Sequence, residues 1–345
     1  MLIVDAQIHL WNAGNPTSPW HRQIPAYLKD DALEEMDAGG VDAAILTPHT
    51  PWDPNANELC MEAVRAHPDR FAILGNFPLD KPESRALIDT WKQRPGMLGC
   101  RFTFIGPEQS RWPTDGTVDW LWPAAERAGL PIAMMAANFL PKVAEVARRH
   151  PNLKLIIDHL GRPRGDASPS ERWANLAEVL ALAKYPNVAM KATGAPSYSD
   201  QPYPFRDIHD NLRRLYDAFG PARWFWGTDI TRMPCPWRQC VTLFTEELPW
   251  LKGRDLELVM GRAVCDWLGW TTTWPSVVEA IGHTGLYDYA EFVGEYGPFD
   301  LHDLDNLARA GWPARAWTLA AAAVIPLRAR RPHRPARLQA SLETI

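Results

Sequence analysis

Apolar and polar positions along this 345-residue chain alternate between two periods. Short runs that are apolar on both faces, bounded by turn residues, occur at 2–9, 41–47, 71–77, 97–103, 131–136, 153–159, 187–193 and 223–229. Between them lie amphipathic stretches of helical spacing at 31–38, 57–67, 120–128, 142–150, 173–183 and 207–219, with a last one near 256–268. Runs apolar throughout suit strands of a parallel sheet covered by helices. Glycine or proline stops several of the helices just before the next strand, as at the His-Pro-Asn-Leu junction of 150–153. Eight strands alternating with helices predict an α/β fold closed as a (β/α)8 TIM barrel rather than left as an open sheet. The first run alternates more sharply than the others and places Asp5, Gln7 and His9 on one face of its strand.

A barrel of this kind takes roughly 250 residues, so the chain has a surplus. The barrel is assigned to residues 1–270 and a C-terminal extension to 271–345. From Arg309 onward there are seven arginines against one acid, Glu343, which predicts a partly disordered, basic Arg/Pro-rich tail. Net charge is −5 and is spread out, which argues against electrostatic binding to nucleic acid or to an anionic membrane surface. No apolar stretch approaches the ~20 residues of a spanning helix, and the acid at position 5 comes too early for a signal peptide. A cytoplasmic protein acting on a small-molecule substrate is expected. The seventeen tryptophans leave a homo-oligomer open. The five cysteines, at 60, 100, 235, 240 and 265, form no Cys-x-x-Cys pair and are expected to be reduced thiols.

In a barrel of this type the chemistry sits where the strands stop. There the chain reads Asp5-x-Gln7-x-His9, Ile157-Asp158-His159-Leu160-Gly161, Lys191-x-x-Gly194 and Trp226-Gly227-Thr228-Asp229. In that order and at those strand ends, the four motifs resemble the amidohydrolase superfamily, specifically its amidohydrolase-related branch, over about residues 1–270. The resemblance implies a lactonase or an aromatic-acid decarboxylase. It also implies a metal held by a His-x-His pair on the first strand, histidines after the fifth and sixth, and an aspartate after the eighth. This chain departs from that set. Gln7 stands in the first place, and Met134-Met135-Ala136-Ala137-Asn138 carries no histidine. Only His9, His159 and Asp229 remain as ligands, and an amide oxygen replaces imidazole poorly on zinc. The expectation is therefore a site without cofactor, with one zinc or manganese ion on those three residues as the alternative.

Without a metal, Asp229 becomes the base that activates water, while His159 and His9 polarise the carbonyl or protonate the leaving oxygen. Gln7 either orients water or substrate or fills the vacated ligand space. Arg101, after a buried stretch, must find an anion, either a substrate carboxylate or an internal acid such as Asp5 or Asp229. Lys191 ranks next. His49, Asn76, Trp11, Trp52 and Arg232 are further candidates for substrate contact, and Phe104, Met134, Met135, Met190 and Trp226 are apolar neighbours. Such a lining suits a small, partly apolar or aromatic substrate bearing a carboxylate. The leading expectation is a metal-independent lactonase or ester hydrolase. A metal-dependent aromatic-acid decarboxylase and a catalytically inactive barrel acting as a binding protein stand as alternatives.

Overall fold

The computed structural model describes residues 1–163 and 169–270, with Pro169 and Ser170 by backbone only, together with the backbone of two later strands. Each of the eight predicted runs contains a strand: β1 (Val4–Ile8), β2 (Ala43–Leu46), β3 (Phe71–Gly75), β4 (Met97–Phe102), β5 (Ile132–Met134), β6 (Leu155–Ile157), β7 (Val188–Lys191) and β8 (Trp224–Phe225). They form one sheet in sequence order with every neighbouring pair parallel. The ends of the sheet meet. The Ala6 N–H donates to the Trp226 carbonyl at 3.1 Å and the Asp229 N–H to the Gln7 carbonyl at 2.9 Å, giving a nearly closed barrel.

Asp5 ties this seam. Its Oδ1 accepts from the backbone N–H groups of Gln7 (3.0 Å) and Thr228 (2.9 Å). Its Oδ2 accepts from the Thr228 hydroxyl and from the Trp237 indole N–H at 2.9 Å. Burial lifts the Asp5 carboxyl to about 7, against four hydrogen bonds that pull it down. The close approach also explains Gly227, where a Cβ would lie 2.6 Å from Thr193 Cγ2 and 2.9 Å from the Ala6 nitrogen.

The helices cover the barrel: α1 (Lys29–Gly39), α2 (Ala56–Ala66), α3 (Trp112–Asp115), α4 (Leu121–Arg127), α5 (Leu140–Arg149), α6 (Pro169–Arg172), α7 (Leu176–Ala181), α8 (His209–Phe219), α9 (Trp237–Thr245), α10 (Gly253–Glu257) and α11 (Ala263–Leu268). α5 shows why. Leu140, Val143, Val146 and Ala147 are buried along one stripe, and Pro141 sits in the first turn, where no N–H is needed. Besides the one-turn helices α3 and α6, two longer covering segments have no counterpart in the predicted series, the 3₁₀ stretch Pro82–Gln93 and α9. α9 carries Val241, Thr242 and Thr245, whose β-branched side chains favour helix poorly, so burial of Trp237, Cys240, Leu243 and Phe244 holds it instead.

Contacts divide the chain into two units, Met1–Thr272 and Thr273–Ile345. In the second unit β9 (Tyr289–Val293) and β10 (Trp317–Ala321) pair in parallel. The rest of the extension, including the expected disorder of its basic tail, lies outside the described residues. Among the described residues no helix is long and apolar enough to cross a membrane. All five cysteines are free thiols.

Candidate active site

His159 and Asp229 mark the points where the chain leaves β6 and β8, and both adopt the left-handed backbone region, with φ of 54° and 58°. Non-glycine residues occupy that region rarely, and such strain concentrates at functional sites. Around them the barrel mouth holds two groups of charges.

The first group lies across β4, β6 and β7. Arg101 Nε donates to Asp158 Oδ2 at 2.7 Å, and Lys191 Nζ lies 3.0 Å from Asp158 Oδ1, with all three side chains buried. Burial alone would raise the Asp158 carboxyl, but the charges of Lys191 and Arg101 outweigh it and hold the group below its usual range. Burial likewise pulls Lys191 down, with Asp158 as the main opposing influence. Arg101 was expected to pair with substrate, Asp5 or Asp229. The internal acid is instead Asp158, because Asp5 is spent on the seam. Arg101 uses Nε for this pair, and among the described residues no hydrogen bond engages its Nη atoms.

The second group lies across β1 and β8. His9 Nδ1 is 2.5 Å from the Thr47 carbonyl, an oxygen that can only accept, so the ring hydrogen sits on Nδ1. Nε2 then presents a lone pair to Asp229 Oδ1 at 3.3 Å. That buried oxygen receives no hydrogen bond among the described residues. Burial, reinforced by the charges of Arg101, His21 and His49, holds His9 well below its usual pKa and keeps it neutral. Asp229 Oδ2 faces His159 Nε2 at 3.8 Å and Arg232 Nε at 3.6 Å. Arg232 also donates to Ser197 Oγ at 3.1 Å. It can pass there because position 194 is glycine: a Cβ would lie 2.8 Å from its Nη2.

Gln7 joins the two groups. Lys191 Nζ donates to Gln7 Oε1 at 3.1 Å, and Gln7 Nε2 is 3.3 Å from His159 Nε2. Thr193 Oγ1 meets His159 Nδ1 at 2.8 Å.

His21, from the loop after β1, was not among the candidates from sequence. Its Nδ1 is 2.8 Å from Thr231 Oγ1, and its ring sits 5.5 Å from His9 and 4.4 Å from Trp52. A histidine in a long loop after a strand carries no periodic signal, and only its place at the mouth marks it. His9, His21 and Asp229 each offer one ligand atom within 4.8 Å of the others. Two lone-pair atoms facing each other at 3.3 Å fit a cation between them, so this donor set suits a divalent ion. It differs from the expected set of His9, His159 and Asp229 in that His21, not His159, stands with the other two.

A cleft of about 190 Å³ opens beside the first group, between the loops after β2, β3 and β4. Arg101, His49 and Asn76 line it with Phe77, Phe102, Phe104, Gln109 and Trp112. Asn76 spends its amide on the Pro48 carbonyl (2.6 Å) and the Thr50 hydroxyl (3.1 Å), so it shapes the wall. Trp52 stacks on His49 at 4.2 Å and meets His9 edge-on at 5.1 Å, behind the histidines. Trp11 is fully buried, bonded to the Ile24 carbonyl at 2.9 Å. Trp226 turns outward, its indole N–H on the Cys240 carbonyl at 3.2 Å, so it supports the wall from behind. Met190 is fully buried in the core.

Comparison with known proteins agrees with this architecture. The family model described as amidohydrolase matches residues 4–294. An L-fucono-1,5-lactonase of Burkholderia ambifaria is 24% identical over 232 residues, covering 66% of this chain and 79% of that protein. Among solved structures, an amidohydrolase of Burkholderia multivorans with bound zinc aligns with a TM-score of 0.65 at 20% identity, over 78% of this chain and 99% of the other. A probable 2-pyrone-4,6-dicarboxylic acid hydrolase of Acinetobacter baumannii with bound citric acid aligns at 0.62 and 14% identity, over 78% and 100%. Likenesses at these identities establish the barrel and nothing finer.

Proposed function

The chain belongs to the amidohydrolase family, and from that premise we propose that it opens a small cyclic ester by hydrolysis, with Asp229 activating the water. The observation that carries this reading is the Asp229 carboxylate itself. It is buried after β8, with one oxygen that receives no hydrogen bond among the described residues and the other facing His159 and Arg232. A water seated against it has an acceptor for its proton on either side. Its oxygen attacks the carbonyl carbon, the carbonyl electrons move onto oxygen, and the ring C–O bond then breaks. The departing alkoxide takes back the proton held by Asp229, which leaves a hydroxy acid.

The roles of the histidines change from those expected. With its hydrogen on Nδ1, His9 cannot donate to the substrate from Nε2 and can only accept there. Charge on the developing oxyanion falls to Arg101, whose Nη atoms make no hydrogen bond among the described residues and which lines the cleft. Three cations, Arg101, Lys191 and Arg232, stand with two carboxylates, Asp158 and Asp229. That excess favours a substrate carrying a carboxylate and disfavours an additional cation, which supports a metal-independent route. The small cleft with four aromatic walls suits a single planar or apolar ring. If a divalent ion is held, His9, His21 and Asp229 hold it, and it supplies Lewis-acid polarisation of the carbonyl. The curated relative is a lactonase, which supports the ester class, and five free thiols accord with a cytoplasmic setting.

The test is a screen of five- and six-membered lactones with and without a ring carboxylate, alongside aromatic acids, read by acid release and by carbon dioxide. Lactone opening that Asp229→Asn abolishes supports the reading. Carbon dioxide from an aromatic acid would point to the lyase instead, and no turnover of any substrate would point to a binding protein.

A further inference from the structure

The chain Lys191–Gln7–His159 is built in a way the proposed hydrolysis does not by itself require. Gln7 and Lys191 are both fully buried, and the Lys191 ammonium can only donate. The end of the Gln7 amide that faces it at 3.1 Å must therefore be the carbonyl oxygen. Turning the amide over would set an –NH2 group against an ammonium and lose a charge-assisted bond. With Oε1 fixed in that direction, Nε2 is the end that meets His159 Nε2 at 3.3 Å, and an amide nitrogen can only donate.

His159 Nε2 must then be the acceptor, and the ring hydrogen must sit on Nδ1. The other side of the ring agrees. Thr193 Oγ1 takes the His159 backbone N–H at 3.1 Å and lies 2.8 Å from Nδ1, so one hydroxyl oxygen receives both hydrogens on its two lone pairs.

We propose that Gln7 is a positioning residue that sets the tautomer of His159, keeping Nε2, the ring nitrogen 3.8 Å from Asp229 Oδ2, free of hydrogen. The consequence for catalysis follows from distance. Asp229 Oδ2 is 3.8 Å from that nitrogen, a separation that one water can span by donating a hydrogen to each, which leaves its own lone pair for the carbonyl carbon. The Gln7 contact at 3.3 Å is long for a hydrogen bond, so a water donor can compete for the same lone pair. Were the hydrogen on Nε2 instead, His159 would compete with the water for Asp229. The substitution of glutamine at a position where the family resemblance implies a metal ligand thus acquires a use of its own. This inference rests on the hydrolytic reading for its kinetic consequence and on geometry alone for the tautomer.

The experiment is nitrogen-15 NMR of the full chain labelled at histidine, with the His159 signals assigned by His159→Asn, on wild type, Gln7→Glu and Gln7→Met, without substrate. In wild type the imine-type resonance should belong to Nε2 and the amine-type resonance to Nδ1. In Gln7→Glu the carboxylate facing His159 can only accept, so the hydrogen should move to Nε2 and the two resonances exchange character. In Gln7→Met neither tautomer is enforced, and the two signals should average. Turnover of whichever lactone the screen identifies should fall about 10²-fold or more in Gln7→Glu with little change in KM. A wild-type spectrum with the hydrogen on Nε2 overturns the proposal even if neither variant folds, and an unchanged tautomer in a folded Gln7→Glu does the same. Either result leaves the hydrolytic reading standing, because that depends on Asp229.

Discussion

The two sides of the barrel mouth carry similar residues and are finished differently. Across β4, β6 and β7, Asp158 has a cation on each oxygen, at 2.7 and 3.0 Å. Across β1 and β8, Asp229 has looser neighbours at 3.3 to 3.8 Å, and where Asp158 Oδ1 has the Lys191 ammonium at 3.0 Å, Asp229 Oδ1 has among the described residues only the His9 ring nitrogen at 3.3 Å. Burying a carboxylate costs free energy that only close partners return. The paired side therefore holds the mouth together, while the loosely partnered side keeps acceptors available for a water or a substrate. On the proposed reading, two aspartates of one barrel divide structure from chemistry, and each substitution below probes that division.

The largest effect should come from Asp229→Asn. The amide keeps the shape and removes the base, and general-base catalysis is worth on the order of 10²–10⁴-fold. The turnover number should fall by that factor in steady-state assays while KM and thermal midpoint change little. A variant with normal turnover would place the chemistry elsewhere. One that unfolds would show that the loose side is structural after all, with Arg232 as the stranded charge.

How much of this division was legible in the chain depends on which interactions are local. The strands announced themselves because burial on both faces leaves an apolar run, and His159, Asp229 and Lys191 followed because each sits at the end of such a run. Asp158 was in plain view beside His159, yet its role depends on Arg101 and Lys191 approaching from two other strands, a matter of register around the barrel. Counting buried cations against acids would have exposed the need for it. His21 lies in an irregular loop with no periodicity to mark it. α9 was hidden because its composition speaks against helix and only packing decides it.

Asp158→Asn should cost stability where Asp229→Asn costs rate. It leaves Arg101 and Lys191 buried with one carboxylate fewer, and removing one partner of a buried pair costs about 3–5 kcal/mol. Chemical denaturation should report that loss. A change below about 1 kcal/mol would mean that solvent reaches these cations and that the paired side is no tighter than the other.

A third aspartate sharpens the comparison through pH. The folded pKa of Asp5, about 7, lies above its unfolded value of 3.8, so the folded chain binds this proton more tightly than the unfolded chain does. Its contribution to stability is fully present below about 3.8 and is lost as pH rises through about 7, on the order of 4 kcal/mol at 1.36 kcal/mol per unit. His9 runs the other way. Its depressed value means that its contribution is present above the ordinary histidine value of 6.5 and is lost as pH falls below it. In Asp5→Asn the decline in stability between pH 4 and 7 should disappear, whatever constant offset the new amide imposes. Parallel stability curves for wild type and variant would show that the four donors around Asp5 outweigh its burial.

The smallest effect is expected from removing metal. If the open acceptors of the β1–β8 side serve water, protein dialysed against a chelator should keep its turnover and its thermal midpoint, because no step proposed here passes through an ion. If they serve a cation, the same treatment should lower both, and stoichiometric zinc or manganese should restore them. His21→Ala separates the two cases further. His21 is one of the three ligands the geometry offers, so its loss should abolish metal-dependent recovery if an ion is used. If none is used, it should cost no more than the packing of one imidazole beside Trp52. Recovery of activity by metal in wild type together with its loss in His21→Ala would overturn the metal-independent route and turn the loose side of the mouth into a coordination site.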